Sequence, residues 1–293
     1  MEHKVMNDFI SIDQVTENMC TKYSGSVPNE LVTIWREYGM GTLLGGYLKL
    51  INPDDFQDIL EEGYFRSEVS IPIFATSMGD IITWEDNRYV RKLNYRMGTF
   101  EGIAAGFEFF LDDLASDYFK EKYFDLVQYQ EAVERFGEPT YDECFGYIPL
   151  LALGGAEKVE NLQKVKLREH ILFISALAGP IQGVGIMESA FKIAKKISEQ
   201  QYTSEDICKY LNSASISIVY QTLKEVAERS MQETNVLNEV KAIAMSEKEI
   251  SGKGLGSTTM RLIAIATLKE LGYSTLFDSL DADDKNLVMG AFL

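Results

Sequence analysis

The spacing of hydrophobic residues divides the chain into a first part of mixed helices and strands and a second part of helices alone. Residues 27–38 place apolar side chains at i, i+3, i+4 and i+7, which predicts a helix that begins near Pro28 and ends at Gly39. The glycine-rich residues 41–50 suit a short strand or a tight turn. Residues 53–62 are predicted to form another helix, with acidic side chains in its first turn.

Alternating apolar and polar positions then predict a run of strands. Glycine or an Asp-Asn pair separates the segments, as is typical of an antiparallel meander, and the strands are expected at residues 71–77, 80–85 and 89–95. Residues 106–111 are a candidate fourth strand. Residues 112–136 return to helical spacing, and residues 165–177 fit a strand, a helix or both.

Helical spacing continues alone after Pro180, the last of the six prolines in the chain. One helix is expected at residues 186–199, and a second begins after a cap at Thr203 or Ser204. Two more are expected at residues 214–246 and, after a cap at Ser257, at residues 258–271.

These patterns predict an α+β fold: an N-terminal module with a small, mostly antiparallel sheet flanked by helices, and a C-terminal all-α module. Glycine and proline are concentrated at residues 178–185, which places a boundary near residue 180. We therefore expect an α+β domain at 1–112, a second region packed on it at 113–180, and a helical domain at 181–293.

Charge narrows the range of partners. The chain has 293 residues and a net charge of −17, of which −14 lies in residues 1–180. So negative a surface repels phosphate, which argues against direct binding of nucleic acid or of an anionic membrane, and it favours a basic partner. No apolar run is long enough to span a membrane, no secretory signal is evident, and the three cysteines suggest no disulfide framework, so the expected location is cytoplasmic.

Catalytic chemistry has little support in the sequence. The chain has two histidines, His3 and His170, and no acidic cluster follows the spacing of a calcium loop, so we expect no catalytic residue, no metal site and no cofactor. Residues 252–258 resemble a phosphate loop only loosely, because their lysine precedes most of the glycines, and they read better as a helix–helix loop. Cys144 follows two carboxylates, which disfavour a thiolate, so it is expected to be buried and inert.

Six residues are candidates for contact with a protein partner. An aromatic side chain beside carboxylates is typical of an interface hot spot, although Trp84 fits core packing as well and each acidic cluster fits a solvated role. The candidates are Asp80, Trp84, Glu85, Asp86, Asp142 and Glu143.

Several strings form an ordered series that covers about residues 8–178 of the chain. The strings include Pro28-Asn29-Glu30-Leu31, Ile51-Asn52-Pro53-Asp54, Gly79-Asp80-Ile81-Ile82-Thr83-Trp84-Glu85, Tyr141-Asp142-Glu143-Cys144-Phe145-Gly146-Tyr147 and Leu150-Leu151-Ala152-Leu153-Gly154-Gly155. In this order they resemble a bacterial family in which a GAD-like domain precedes the C-terminal domain of type VI secretion immunity proteins. The resemblance implies an immunity protein that binds a secreted DNase toxin and blocks it.

The leading hypothesis is therefore a non-enzymatic protein that covers the DNA cleft or active site of a cognate basic DNase toxin. Two alternatives stay open. One is a regulatory scaffold whose helical module drives homo-oligomerisation or binds a second partner. The other is an enzyme that reverses toxin action with carboxylates such as Asp142 and Glu143.

Overall fold

Seven strands within residues 4–105 form one antiparallel sheet in which neighbours in sequence are neighbours in space. The computed structural model describes residues 4–182, 190–213, 215–246 and 259–291. The strands of this sheet are β1 (Ile10–Asp13), β2 (Met40–Leu43), β3 (Leu48–Leu50), β4 (Ser70–Thr76), β5 (Asp80–Glu85), β6 (Tyr89–Asn94) and β7 (Thr99–Ala105). The predicted meander at residues 71–95 is confirmed.

Helices and a second hairpin surround this sheet. The hairpin pairs β8 (Glu143–Tyr147) with β9 (Leu162–Lys166) in antiparallel register. The helices are α1 (Glu17–Tyr23), α2 (Asn29–Tyr38), α3 (Gln57–Gly63), α4 (Phe107–Asp113), α5 (Asp117–Tyr123), α6 (Leu126–Phe136) and α7 (Leu167–Ala178). Strand β9 leads directly into α7, so the ambiguous segment 165–177 is both strand and helix.

Local sequence explains where these helices begin and end. Helix α2 buries Leu31, Ile34 and Trp35 and ends at Gly39, whose φ of 75° suits glycine, so the predicted helix at 27–38 is confirmed. The predicted strand at 106–111 is wrong. Phe107, Phe110 and Leu111 lie one helical turn apart on a buried stripe, so the segment forms α4, and the fourth strand of the meander is β7.

The described chain separates into two compact units. The sheet unit comprises residues 4–150, 155–175 and 180–182, and the helical unit comprises residues 151–154, 176–179 and the described residues from 190 onward. An α+β fold with a C-terminal helical region is therefore confirmed.

The helical unit is built from short helices packed around one main core. Its helices are α8 (Ala190–Ser198), α9 (Ser204–Leu211), α10 (Ile216–Glu228), α11 (Thr234–Ala244), α12 (Met260–Glu270), α13 (Thr275–Asp278) and α14 (Ala282–Met289). The predicted cap at Thr203 is confirmed as a capping box with Asp206, and the pattern at 214–246 resolves into α10 and α11. Thr259 caps α12. His3, residues 183–189, the 252–258 loop and the predicted cap at Ser257 lie outside the described residues.

A buried histidine gives the sheet unit an acid-sensitive position. His170 on α7 is 6% exposed, and its Nε2 atom lies against the backbone of Gly146, where a Cβ atom would come within 2.3 Å of that nitrogen. Burial, together with the positive charge of Arg96, lowers the pKa of His170 to about 4.

We predict that His170 makes the sheet unit lose stability as the pH falls from about 6.5 to 4. The folded-state pKa lies below the unfolded one, so the unfolded chain binds the extra proton over this window, and the loss is on the order of 3 kcal/mol. The measurement is urea unfolding followed by tryptophan fluorescence. The His170→Leu variant should lack this part of the pH dependence, and equal slopes for the two proteins would contradict the assignment.

Candidate functional site

The structure divides the six predicted contact residues into three buried and three accessible side chains. Asp80 and Glu85 are 0% exposed and Trp84 is 5% exposed, whereas Asp86 and Asp142 are exposed and Glu143 is partly exposed. Strand β5 lies inside the sheet and is covered on both faces, so neither set of its alternating side chains reaches solvent. Direct contact through Asp80, Trp84 or Glu85 is therefore not supported, which corrects that part of the prediction.

Two buried members of β5 have structural partners instead. Trp84 packs edge-on against Phe107, with ring centroids 6.5 Å apart, and its indole N–H donates to Asn87. Glu85 receives the guanidinium groups of Arg66 and Arg91 at 3.1 and 2.8 Å. These contacts give Trp84 and Glu85 roles in the core.

Asp80 belongs to a buried ionic cluster centred on Arg96. The guanidinium of Arg96 lies 3.0 Å from Asp80 and 2.8 Å from Asp125. Burial raises the pKa of Asp80, although the charge of Arg96 acts in the opposite direction. Burial acts to raise the pKa of Asp125 as well, but there the charge and hydrogen bond of Arg96 outweigh it, and the pKa is lowered. The cluster is structural, because its charges satisfy one another inside the fold.

Asp142 instead opens onto a groove of about 490 Å³ on the surface of the sheet unit. The groove lies where the start of α3, the turn before β8 and the start of α7 meet. Its apolar and aromatic lining residues are Ile51, Phe56, Tyr141 and Leu167. Its five carboxylates are Asp54, Asp55, Asp58, Asp142 and Glu169, and its two cations are Lys166 and Arg168.

Pairing inside the groove occupies three of its five carboxylates. Arg168 binds Asp58 through two hydrogen bonds of 3.1 and 2.8 Å, and Lys166 binds Asp142 at 2.6 Å. Asp54 accepts from Lys22 and from the hydroxyl of Tyr23.

The side chains of Asp55 and Glu169 are exposed, and their carboxylates have no ion pair or hydrogen bond within the described residues. The groove thus presents a net negative charge to a ligand.

Lys49 holds the turn that forms one wall of this groove. Its side chain is 0% exposed, and its ammonium donates to the carbonyl oxygens of Thr140 at 2.8 Å, of Tyr141 at 3.1 Å and of Glu143. The hydroxyl of Tyr141 donates back to the carbonyl of Leu50 at 2.7 Å. Strand β3 therefore fixes the backbone from which Tyr141 and Asp142 project. Burial lowers the pKa of Lys49 to about 8.

Cys144 lies beneath this wall and is 0% exposed. Burial raises its pKa to about 12, which favours the protonated thiol, and the expected burial of Cys144 is confirmed. No group of three or more potential metal ligands occurs in the part of the chain that the structure describes. No described helix is long and apolar enough to cross a bilayer.

A second groove, of about 350 Å³, lies in the helical unit among α10, α12 and α14. Its lining is made of small and apolar side chains with charges of both signs, such as Ala227, Ala266, Lys269 and Glu270. Its charges show no strong excess of one sign and its lining includes no aromatic side chain, so the groove beside Asp142 is the better candidate site.

Comparison with known families identifies most of the sheet unit. Residues 3–96 match the family described as GAD-like domain, and residues 104–178 match the family described as T6SS immunity protein Tdi1, C-terminal. Each of the two matches covers about a third of the chain or less. No curated protein matches the chain.

A solved structure supports the same fold. The crystal structure of Atu4351 from Agrobacterium tumefaciens is 14% identical to this chain, with a TM-score of 0.50 over 58% of this chain and 86% of that chain.

Buried polar side chains join the GAD-like region to the immunity-family region within the sheet unit. The backbone N–H of Asp125 donates to Tyr47 at 3.0 Å, and Lys92 donates to the carbonyl of Tyr123. Lys49 and Arg96 make the other links described above. The groove lies at this seam: Ile51, Asp54, Asp55, Phe56 and Asp58 come from the GAD-like region, and Tyr141, Asp142 and residues 166–169 come from the immunity-family region.

Sequence reasoning identified Asp142 and the acidic run at residues 54–58 but did not connect them. Lys49, Arg168 and Glu169 were missed. Their signal was weak, because a lysine in a short strand and charges at a helix start are common on solvated surfaces. The convergence depends on β3 and β8 meeting, and these strands are separated by 92 residues of chain.

We predict that Lys49→Met weakens the sheet unit by about 3 kcal/mol, because three buried carbonyls lose a charged donor. Hydrogen exchange at residues 140–143 should also become faster. Lys166→Met is the matched control, since it removes an exposed lysine from the same groove and should cost less than about 1 kcal/mol. Equal losses in the two variants would show that the hydrogen bonds of Lys49 to the turn at residues 140–143 do not stabilise the fold.

We also predict opposite sensitivities for two neighbouring carboxylates. Glu85→Gln leaves Arg66 and Arg91 without their buried counter-charge and should cost about 3 kcal/mol. Asp86→Asn alters an exposed position with φ of 52°, which asparagine tolerates, and should change stability by less than about 0.5 kcal/mol. Urea unfolding measures both, and a tolerated Glu85→Gln would disprove its role in the core.

Proposed function

We propose that this chain neutralises a cognate DNase toxin by binding it in a one-to-one complex that covers its DNA cleft or active site. The family matches support a role in type VI secretion immunity. The observation that carries the finer proposal is the charge of the sheet unit, since −14 of the net −17 lies in residues 1–180. A nuclease needs a basic surface to hold DNA, and an acidic partner competes for that surface.

The accessible carboxylates of the predicted set are the proposed contacts. Asp86, Asp142 and Glu143 remain from that set, and Asp142 also lines the groove. Asp80, Trp84 and Glu85 are left out of the proposed contacts, because their burial keeps them from a partner. The proposed partner is a basic protein, met in the cytoplasm, with no direct contact to nucleic acid and no cofactor.

A binding role is favoured over catalysis by the state of the two carboxylates that an enzyme would use. A hydrogen bond from Lys166 lowers the pKa of Asp142, and hydrogen bonds from Thr140 lower that of Glu143. Acid–base catalysis by two carboxylates needs pKa values that are pushed apart, whereas both of these are lowered. Both groups therefore stay ionised, which suits recognition of a basic surface.

The division into regions 1–112, 113–180 and 181–293 stays a prediction, and the helical unit has no assigned role in it. The helical unit takes in residues 151–154 and 176–179, most of which belong to the stretch matched by the immunity family. We therefore propose that it supports the immunity region rather than acting as a separate scaffold. Homo-oligomerisation is a property to be measured with the full chain.

The test uses the full chain and the nuclease domain of a candidate type VI DNase toxin. We predict that plasmid cleavage stops at a molar ratio of about one, and that raising NaCl from about 50 to 300 mM slows association several-fold. Continued cleavage at excess chain would reject the proposal.

The contact residues are tested in the same assay by reversing charge. Asp86→Lys combined with Asp142→Lys should slow association by about tenfold, because the reversed charges face the toxin. Glu108→Lys with Asp112→Lys is the matched control, since it makes the same change of net charge at exposed positions of α4. Equal slowing by both pairs would indicate a response to net charge alone, and the proposed contacts would then be wrong.

A further inference from the structure

We propose that the groove beside Asp142 receives an arginine side chain of the toxin. This inference rests on the proposed function and adds to it the chemistry of one specific contact. The relevant features are the two carboxylates without partners in the described chain, the aromatic walls and the position of the groove at the seam of the sheet unit.

The two cations of the groove already have ion-pair partners: Lys166 binds Asp142, and Arg168 binds Asp58. The carboxylates of Asp55 and Glu169 remain exposed without a partner within the described residues. A cation that enters the groove therefore gains two carboxylates and breaks no existing pair.

The walls of the groove suit the aliphatic part of a long side chain. Phe56 is 7% exposed and Leu167 is 1% exposed, so the floor is apolar and well packed, and Tyr141 forms one side. The volume of about 490 Å³ falls in the range of ligand pockets and accommodates one long side chain with its water. An arginine can lay its aliphatic stem on such a floor while its head reaches the rim.

The carboxylates and aromatic lining of the groove favour arginine over lysine. The guanidinium of Arg168 already lies over the ring of Phe56, with 5.5 Å between the central carbon and the ring centroid. Phe56 is therefore already in contact with a cation, and the aromatic wall left for a ligand is Tyr141, which is partly exposed. A guanidinium also offers five donors in a planar fork, so it can bind Asp55 and Glu169 together, which the compact ammonium of lysine does less well.

The walls of the groove are held in place by contacts that do not involve a ligand. Lys49 fixes the wall that carries Tyr141 and Asp142, and the ion pair of Arg168 with Asp58 joins α7 to α3 across the groove. A site whose walls are already fixed loses little entropy on binding. An arginine held there would be a fixed anchor of the interface, as buried arginines often are.

The main experiment measures binding of the toxin nuclease domain to the full chain by calorimetry. Asp55→Asn with Glu169→Gln should weaken binding by tenfold or more. Glu108→Gln with Asp112→Asn is the matched control, since it neutralises one glutamate and one aspartate at exposed positions of α4 and should change the Kd by less than about twofold. Melting temperatures confirm that both variants are folded, which is expected because all four substituted side chains are exposed.

The outcomes separate the two proposals. If the wild type binds and the two double variants bind alike, the groove is not the arginine site, while the proposed function stands. If the wild type does not bind, the proposed function fails, and the groove is judged with the peptide acetyl-Gly-Gly-Arg-Gly-Gly-amide and its citrulline counterpart.

The peptides differ in charge but hardly in shape. NMR shifts at Tyr141 and Leu167 that occur with the arginine peptide and not with the citrulline peptide would support the site. Equal shifts, or none, would overturn it.

Discussion

Three buried cations on the GAD-like sheet set the constraint on which the rest of the sheet unit depends. Lys49, Lys92 and Arg96 are at most 6% exposed, and a cation in such a place is costly unless polar groups surround it. The partners come largely from the immunity-family region: the carbonyls of the turn at 140–143, the carbonyl of Tyr123 and the carboxylate of Asp125. Buried polar contacts thus join the two matched regions within one compact unit.

The same constraint determines where a binding groove can form. The turn at 140–143 has its backbone directed inward to Lys49, which leaves Tyr141 and Asp142 to line the groove against the start of α3. Helix α7 follows β9 directly and completes the groove with Glu169. The groove is thus composite, because both matched regions contribute to its lining. Such a surface could change its partner specificity through the rim residues while the buried polar links stay the same.

Sequence patterns were sufficient for elements whose signal is local. The helix ending at Gly39, the meander at residues 71–95 and the helix cap expected at Thr203 or Ser204 depend on neighbouring residues, and the structure confirms them with Thr203 as the cap. The alternation in β5 was also correct, but it could not reveal that a central strand is covered on both faces, so Trp84 and Glu85 were kept as candidate contacts. Phe107 to Leu111 misled because a short apolar run fits both helix and strand until its burial is known.

The candidate site and the domain boundary both depended on contacts that no local pattern encodes. Lys49 looks like an ordinary strand lysine, and only the arrival of β8 makes it a buried donor. Asp55 and Glu169 stand out only after the neighbouring charges have been matched. At the boundary, Gln221 donates to the carbonyl of Ala152, and Ser215 donates to that of Leu177 at 3.1 Å. Both acceptors come from the stretch that matches the immunity family, so a cut at residue 180 would remove their partners. The boundary predicted at residue 180 therefore separates residues that are hydrogen-bonded within one compact unit.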